Sequence, residues 1–220
     1  MNESDRKNEP LKTSGGKKLT ITGIVFSIIV TAGFVWAAIQ WHNLWRKPDQ
    51  ASAQDLQLNE QHAFLNLQTI AEAQKKYKET DWDRDGKKTF AKYFIHLWTS
   101  VSLSSDPISV NLIHRKLAFA SETSRAIDGY YFVDLHDWDV PEGEGLRSLN
   151  HEKEWAVLAT STDYGQTGIL SLLVDNSGSI FVNPAKYIPI VYPENPVSKG
   201  WIKIDTIQQL QEYQKTIMYP

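Results

Sequence analysis

The chain has 220 residues, with 23 Lys and Arg against 26 Asp and Glu, 41% hydrophobic and 11% aromatic residues, and no cysteine. So many core-forming residues exclude wholesale disorder and a collagen-like chain, and the missing cysteines exclude a disulfide framework. Residues 1–18 carry five basic against three acidic side chains (+2) and the remainder eighteen against twenty-three (−5), so no basic domain suited to nucleic acid is present.

Residues 19–39 (LTITGIVFSIIVTAGFVWAAI) hold no charged side chain. As a helix rising about 1.5 Å per residue they reach ~31 Å, which matches a bilayer core of about 30 Å. The run is too long for the apolar core of a cleaved signal peptide, and the small-residue triplet Ala51-Ser52-Ala53 lies too far downstream for signal peptidase. An uncleaved signal anchor is expected. Arg6, Lys7, Lys12, Lys17 and Lys18 precede the run and only Arg46 and Lys47 follow it, so residues 1–18 form a cytoplasmic tail and residues 46–220 an extracytoplasmic domain. Residues 19–45 make the transmembrane helix, with Trp36, Trp41 and Trp45 as an aromatic belt at its outer end. The implied location is a single-pass protein of a bacterial inner membrane, and the lipid bilayer is its first partner.

Beyond the helix-breaking Pro48, residues 51–78 repeat apolar side chains at three- and four-residue spacing: Leu56, Ala63, Phe64, Leu67, Ile70, Ala71 and Tyr77. The spacing predicts an amphipathic helix of about seven turns. Its other face carries Asp55, Gln57, Glu60, Gln61, Gln68, Glu72, Lys75 and Lys76 and is expected to meet solvent. Residues 89–101 and 110–122 are predicted as short helices separated by a Leu-Ser-Ser-Asp-Pro turn.

After Asp128-Gly129 the texture changes. Residues 130–135, 155–161, 168–174 and 179–182 are rich in β-branched and aromatic side chains, with Asp175-Asn176-Ser177-Gly178 as a turn. They predict three or four strands of an antiparallel meander. Residues 205–217 place Ile207, Leu210, Tyr213 and Ile217 at helical spacing behind Asp205, the expected N-cap of a closing helix. The fold class is therefore α+β: an N-terminal transmembrane helix, then an amphipathic helix and short helices packed on a small antiparallel sheet.

This order of elements, with Leu67-Gln68-Thr69-Ile70-Ala71-Glu72-Ala73-Gln74-Lys75-Lys76-Tyr77, Gly129-Tyr130-Tyr131-Phe132 and the phrase LVDNSGSIF at residues 173–181, resembles the type IV pilins and pseudopilins. The resemblance covers roughly residues 19–182 and implies a pilin-like ectodomain with a structural or assembly role at the cell envelope. Its partners would be other envelope, secretion or pilus-assembly proteins. Prepilins carry a glycine followed by an aromatic residue and, five places after the glycine, a glutamate; here Gly16 precedes Lys17 and the residue five after Gly23 is Ile28. Without that cleavage motif the anchor stays on.

One segment matches a specific ligand chemistry. Asp81-Trp82-Asp83-Arg84-Asp85-Gly86 is the D-x-D-x-D-G opening of a calcium loop, in which alternate carboxylates converge and glycine permits the turn. Lys88 stands where an apolar residue is usual and Lys92 where a bidentate glutamate closes an EF-hand, so Asp81, Asp83 and Asp85 are expected to form at most a weak calcium site. Lys87 and Lys88 would otherwise balance the charge of an acidic turn.

Asp134, Asp137, Asp139, Glu142 and Glu144 crowd a second acidic stretch, which Pro141, Gly143 and Gly145 mark as a flexible hairpin loop. The six histidines show no zinc spacing, and neither G-x-S-x-G nor a glycine-rich phosphate loop is present. Catalysis is not expected. The alternative to an assembly role is a membrane-tethered binding or sensing domain modulated by calcium.

Overall fold

Ser52 starts helix α1 (Ala53–Glu79) through a capping box: its hydroxyl accepts from the Asp55 N–H and the Asp55 carboxylate reaches back to the Ser52 N–H. The structure, a computed structural model, describes residues 52–102, 104–139, 146–184 and 190–218, all within one unit, Gln50–Pro220. The expected membrane span at 19–39, its flanking charges and Trp36, Trp41 and Trp45 lie outside the described residues, as does the tip of the acidic loop at 140–145. Among the described residues no helix is long and apolar enough to cross a membrane.

The apolar stripe of α1 is buried as its spacing predicts, from Leu56 through Phe64, Leu67 and Ile70 to Tyr77. The polar face departs from expectation at Glu60, which is completely buried. Its Oε1 accepts from the Ile169 N–H (2.7 Å) and the Leu170 N–H (3.0 Å), and its Oε2 accepts from Gln214 Nε2 (2.7 Å). Burial raises its pKa above the ordinary carboxylate value despite these donors.

The main sheet joins β3 (Tyr130–Leu135), β6 (Ala156–Ser161), β7 (Ser171–Asp175), β8 (Ile180–Asn183) and β10 (Ile202–Ile204), all antiparallel and neighbours in that order. This is the expected meander, extended at one edge by β10, which the sequence pattern did not reveal. Strand side chains alternate between faces. Phe132, Val157, Ala159, Leu172, Val174, Ile180 and Val182 join the core that contains the α1 stripe, whereas Leu135, Ala156, Leu158, Leu173 and Phe181 pack with Tyr192 and Trp201 on the other side. Both faces are covered, so all five residues of β7 are buried, with Leu172, Leu173 and Val174 as its apolar centre.

Asp128 (φ 48°) and Gly129 (φ 75°) form the two-residue turn into β3, closed by reciprocal hydrogen bonds between Ile127 and Tyr130. Gly168 is needed for a different reason. A Cβ there would stand 2.0 Å from the Tyr130 hydroxyl, which donates to the Leu170 carbonyl.

Of the two helices predicted at 89–101 and 110–122, the first does not form and the second is reduced to a single turn. A 3-10 turn (Phe94–Leu97), a hairpin of β1 (Thr99–Val101) with β2 (Pro107–Ser109), the four-residue α2 (Arg115–Ala118) and a 3-10 turn (Thr123–Arg125) stand in their place. The backbone groups a helix would use are taken by tertiary partners. The Gln74 amide makes two hydrogen bonds to the Ala91 backbone, the Asp134 carboxylate accepts from the Phe94 N–H, and the Leu97 and Trp98 carbonyls accept from residues 110–113. Asn111, at φ 56°, breaks any helical run before Arg115.

The acidic loop is the hairpin expected. Strand β4 (Asp137–Asp139) pairs with β5 (Leu146–Ser148), and β9 (Tyr192–Pro193) adds in parallel to β4. Helix α3 (Ile207–Met218) closes the unit and packs Leu210, Ile207, Tyr213 and Ile217 on the α1 core. Its N-terminus is capped by the Thr206 hydroxyl, which accepts from the Gln209 N–H; Asp205, the expected N-cap, instead donates its N–H to the Gln209 side chain.

Candidate functional site

Helix α1 ends at Thr80, and the chain turns at once into the acidic segment. Trp82 ties this segment down, with its ring 6.4 Å from that of Tyr77 and packed on the main core. Asp81 then organises the turn around itself: Oδ1 accepts from the Asp85 N–H (3.1 Å) and Oδ2 from the Gly86 N–H (3.0 Å). Asp85 Oδ1 accepts from the Lys87 N–H (2.8 Å). Positive φ at Arg84 (58°) and Gly86 (85°) supplies the two reversals this needs.

The result is the convergence the sequence predicts. One carboxylate oxygen each from Asp81, Asp83 and Asp85 lies within 4.8 Å of the others. Oxygens that share one Ca²⁺ at about 2.3–2.6 Å are at most about 5 Å apart, so one cation can touch all three without refolding the loop. Asp81 and Asp83 are half-buried and Asp85 exposed. Partial burial and the charge of Asp85 push the Asp83 carboxyl up from its ordinary value, and burial, together with the three aspartates, raises the Tyr77 hydroxyl. A cation here would relieve both.

Closure of the loop is incomplete, as expected. Lys92, at the position of the usual bidentate glutamate, points its ammonium at the Tyr93 ring 5.4 Å away. Glu152 arrives at the edge of the loop from a distant segment but is held by the Lys87 ammonium (3.6 Å). Three carboxylates suit a hard, oxygen-seeking cation held loosely, and the donor set has nothing for a soft metal.

A second cluster was not visible in the sequence, where the histidines lie far apart. Tyr93 stands edge-on to His96 (5.4 Å) and to His136 (4.9 Å), and His136 to His151 (6.0 Å). Burial first, then the Lys92 charge, hold His96 and His136 below the ordinary histidine value; for His151 the causes are burial, His136 and Lys92. Asp134, whose carboxylate accepts from the Phe94 N–H, is pushed up by burial to about 7. The other acidic-loop residue that the structure describes fully, Asp137, accepts from Ser148 on the paired strand. It makes no metal cluster with Asp134 among the described residues.

Residues 52–184 match the family described as protein of unknown function (DUF2950). The chain belongs to the DUF2950 family. No curated protein and no solved structure matches it. The DUF2950 stretch contains α1, the calcium-type loop, the histidine cluster and β3 to β8, whereas α3, with the Gln214 that reaches Glu60, lies beyond it.

Proposed function

We propose that this DUF2950 protein is a binding domain of the bacterial envelope, held at the inner membrane by residues 19–39 and modulated by calcium at Asp81, Asp83 and Asp85. The convergence of three carboxylate oxygens within 4.8 Å, on a turn whose backbone is pinned by the same aspartates, carries the reading. The loop lies between the end of α1 and the segment that leads to Phe90, whose N–H is taken by the His151 carbonyl. A bound cation would tie the spine helix to the irregular half of the domain and stiffen whatever surface that half presents.

Terbium tests the reading directly, because Tb³⁺ takes calcium sites and its emission is sensitised by a nearby indole, here Trp82. Excitation of tryptophan in the full chain, in detergent, is expected to give Tb³⁺ emission that millimolar Ca²⁺ displaces and that Asp83→Asn with Asp85→Asn abolishes. Emission unchanged in the double variant would sink the proposal. For the anchor, protease added to intact spheroplasts is expected to digest residues beyond about 46 and spare the tail, and the membrane form is expected to keep its full 25.1 kDa.

A second reading, a pilin-like part in envelope assembly, is favoured by the packing of α1 across the antiparallel meander. Co-purification with secretion or pilus-assembly proteins would support it, and a chain that stays monomeric and alone after mild solubilisation would count against it.

A further inference from the structure

A cleft of about 630 Å³ opens between α2 and the 3-10 turn Thr123–Arg125, lined by His114, Arg115, Lys116, Phe119, Arg125 and Ala126. Every polar side chain in it is a hydrogen-bond donor. Arginine and lysine have no acceptor atoms. His114 Nδ1 accepts from the Lys116 N–H (3.2 Å), so the neutral imidazole carries its proton on Nε2.

The donors are also held in place. The guanidinium carbons of Arg115 and Arg125 stand 5.6 and 5.8 Å from the centroid of the same half-buried ring, Phe119, so both forks rest on one aromatic platform. Glu122 engages Arg125 at Nε, 3.3 Å from its Oε1, and is the one acid within residues 114–126. Neither Arg115 nor Lys116 has a carboxylate within 4 Å among the described residues. Residues 114–126 carry three Lys or Arg against one acid, within a stretch from residue 19 onward whose net charge is −5. Three cations gathered on an acidic domain repel one another unless an anion joins them.

We propose that this cleft binds the phosphate group of a phosphate ester, either a small phosphorylated molecule or a phospholipid headgroup. Two planar guanidinium forks and an ammonium match the oxygens of a phosphate. The volume exceeds that of the bare ion, and Phe119 and Ala126 offer an apolar wall to the organic part. The cleft is separate from the calcium-type loop and needs no cation there.

The test titrates glycerol phosphate into the full chain in dodecyl maltoside, a detergent without phosphate, and follows the heat. Saturable binding in the millimolar range is expected, weakened about tenfold or more by Arg115→Gln with Arg125→Gln, which together remove both guanidinium contacts. Lys116→Gln alone should weaken it less, and Lys153→Gln, on a different turn, should leave it unchanged. The melting temperature of each variant shows that it is folded. Repeating the titration with phosphatidylglycerol added to the micelles separates the sources: a lipid occupant suppresses glycerol phosphate uptake, and a soluble ligand leaves it intact. No saturable heat, or equal heat in the double arginine variant, overturns the proposal.

Discussion

Glu60 and the trio Asp81, Asp83 and Asp85 are carboxylates on or just beyond the same helix, and the fold treats them in opposite ways. Glu60 is sealed inside and its oxygens are met by donors of the protein itself, from the chain before β7 and from α3. The three aspartates stay at the surface. Two of them accept backbone N–H groups, but all three turn oxygens toward one another. Carboxylates that meet donors fasten a fold, whereas carboxylates that meet each other repel, a cost that a cation would relieve.

Breaking the sealed region should have the largest effect. Glu60→Ala leaves the Ile169 and Leu170 N–H groups without their acceptor and the Gln214 amide with the Gln57 carbonyl alone, at about 1–3 kcal/mol for each buried group left unsatisfied, so a total of about 3–5 kcal/mol is expected in urea unfolding. Glu60→Gln keeps an acceptor oxygen and should cost clearly less. If the two variants unfold alike, the donors are not what holds the carboxylate. Gly168→Ala attacks the same region through space, since its methyl would meet the Tyr130 hydroxyl; about 1–3 kcal/mol of overpacking is expected.

Acidity separates two further groups of opposite sign. Asp134 has a folded value raised to about 7, so its contribution is complete below the ordinary aspartate value near 4 and is lost as pH rises from about 4 to about 7. His96, His136 and His151 are lowered, so their contribution is complete above about 6.5 and is lost as pH falls below it. Asp134→Asn should therefore gain on the wild type as pH rises from 4 to 8, while His136→Gln with His151→Gln should gain on it as pH falls from 7 to 5. Parallel stability curves for wild type and variants would show these groups unperturbed.

These regions were unequally legible. Helix α1, the meander and α3 announce themselves because their apolar residues recur at the period of the element, and the D-x-D-x-D-G spacing is local enough to predict the loop. Glu60 sits on the polar stripe of α1, and nothing near it in sequence tells of partners at 169, 170 and 214. The segments at 89–122 look helical by composition, but side chains from elsewhere, Gln74 and Asp134, claim their backbone. His96, His136 and His151 meet only because β3 carries the chain back beside Tyr93. The basic cleft was half visible, since His114-Arg115-Lys116 is contiguous, yet its focus on Phe119 depends on the turn that returns Arg125.

The smallest expected effect tests the central claim most directly. With a dissociation constant near the weak end, about 1 mM, 10 mM Ca²⁺ stabilises the folded chain by ~1.4 kcal/mol, which raises the melting temperature of a domain this size by about 3–6 °C. The full chain, in detergent, should show that rise in calcium over chelator, and Asp83→Asn with Asp85→Asn should remove it while melting no lower in chelator than the wild type. Equal melting of the wild type in calcium and in chelator would contradict the account and leave residues 81–86 as an acidic turn.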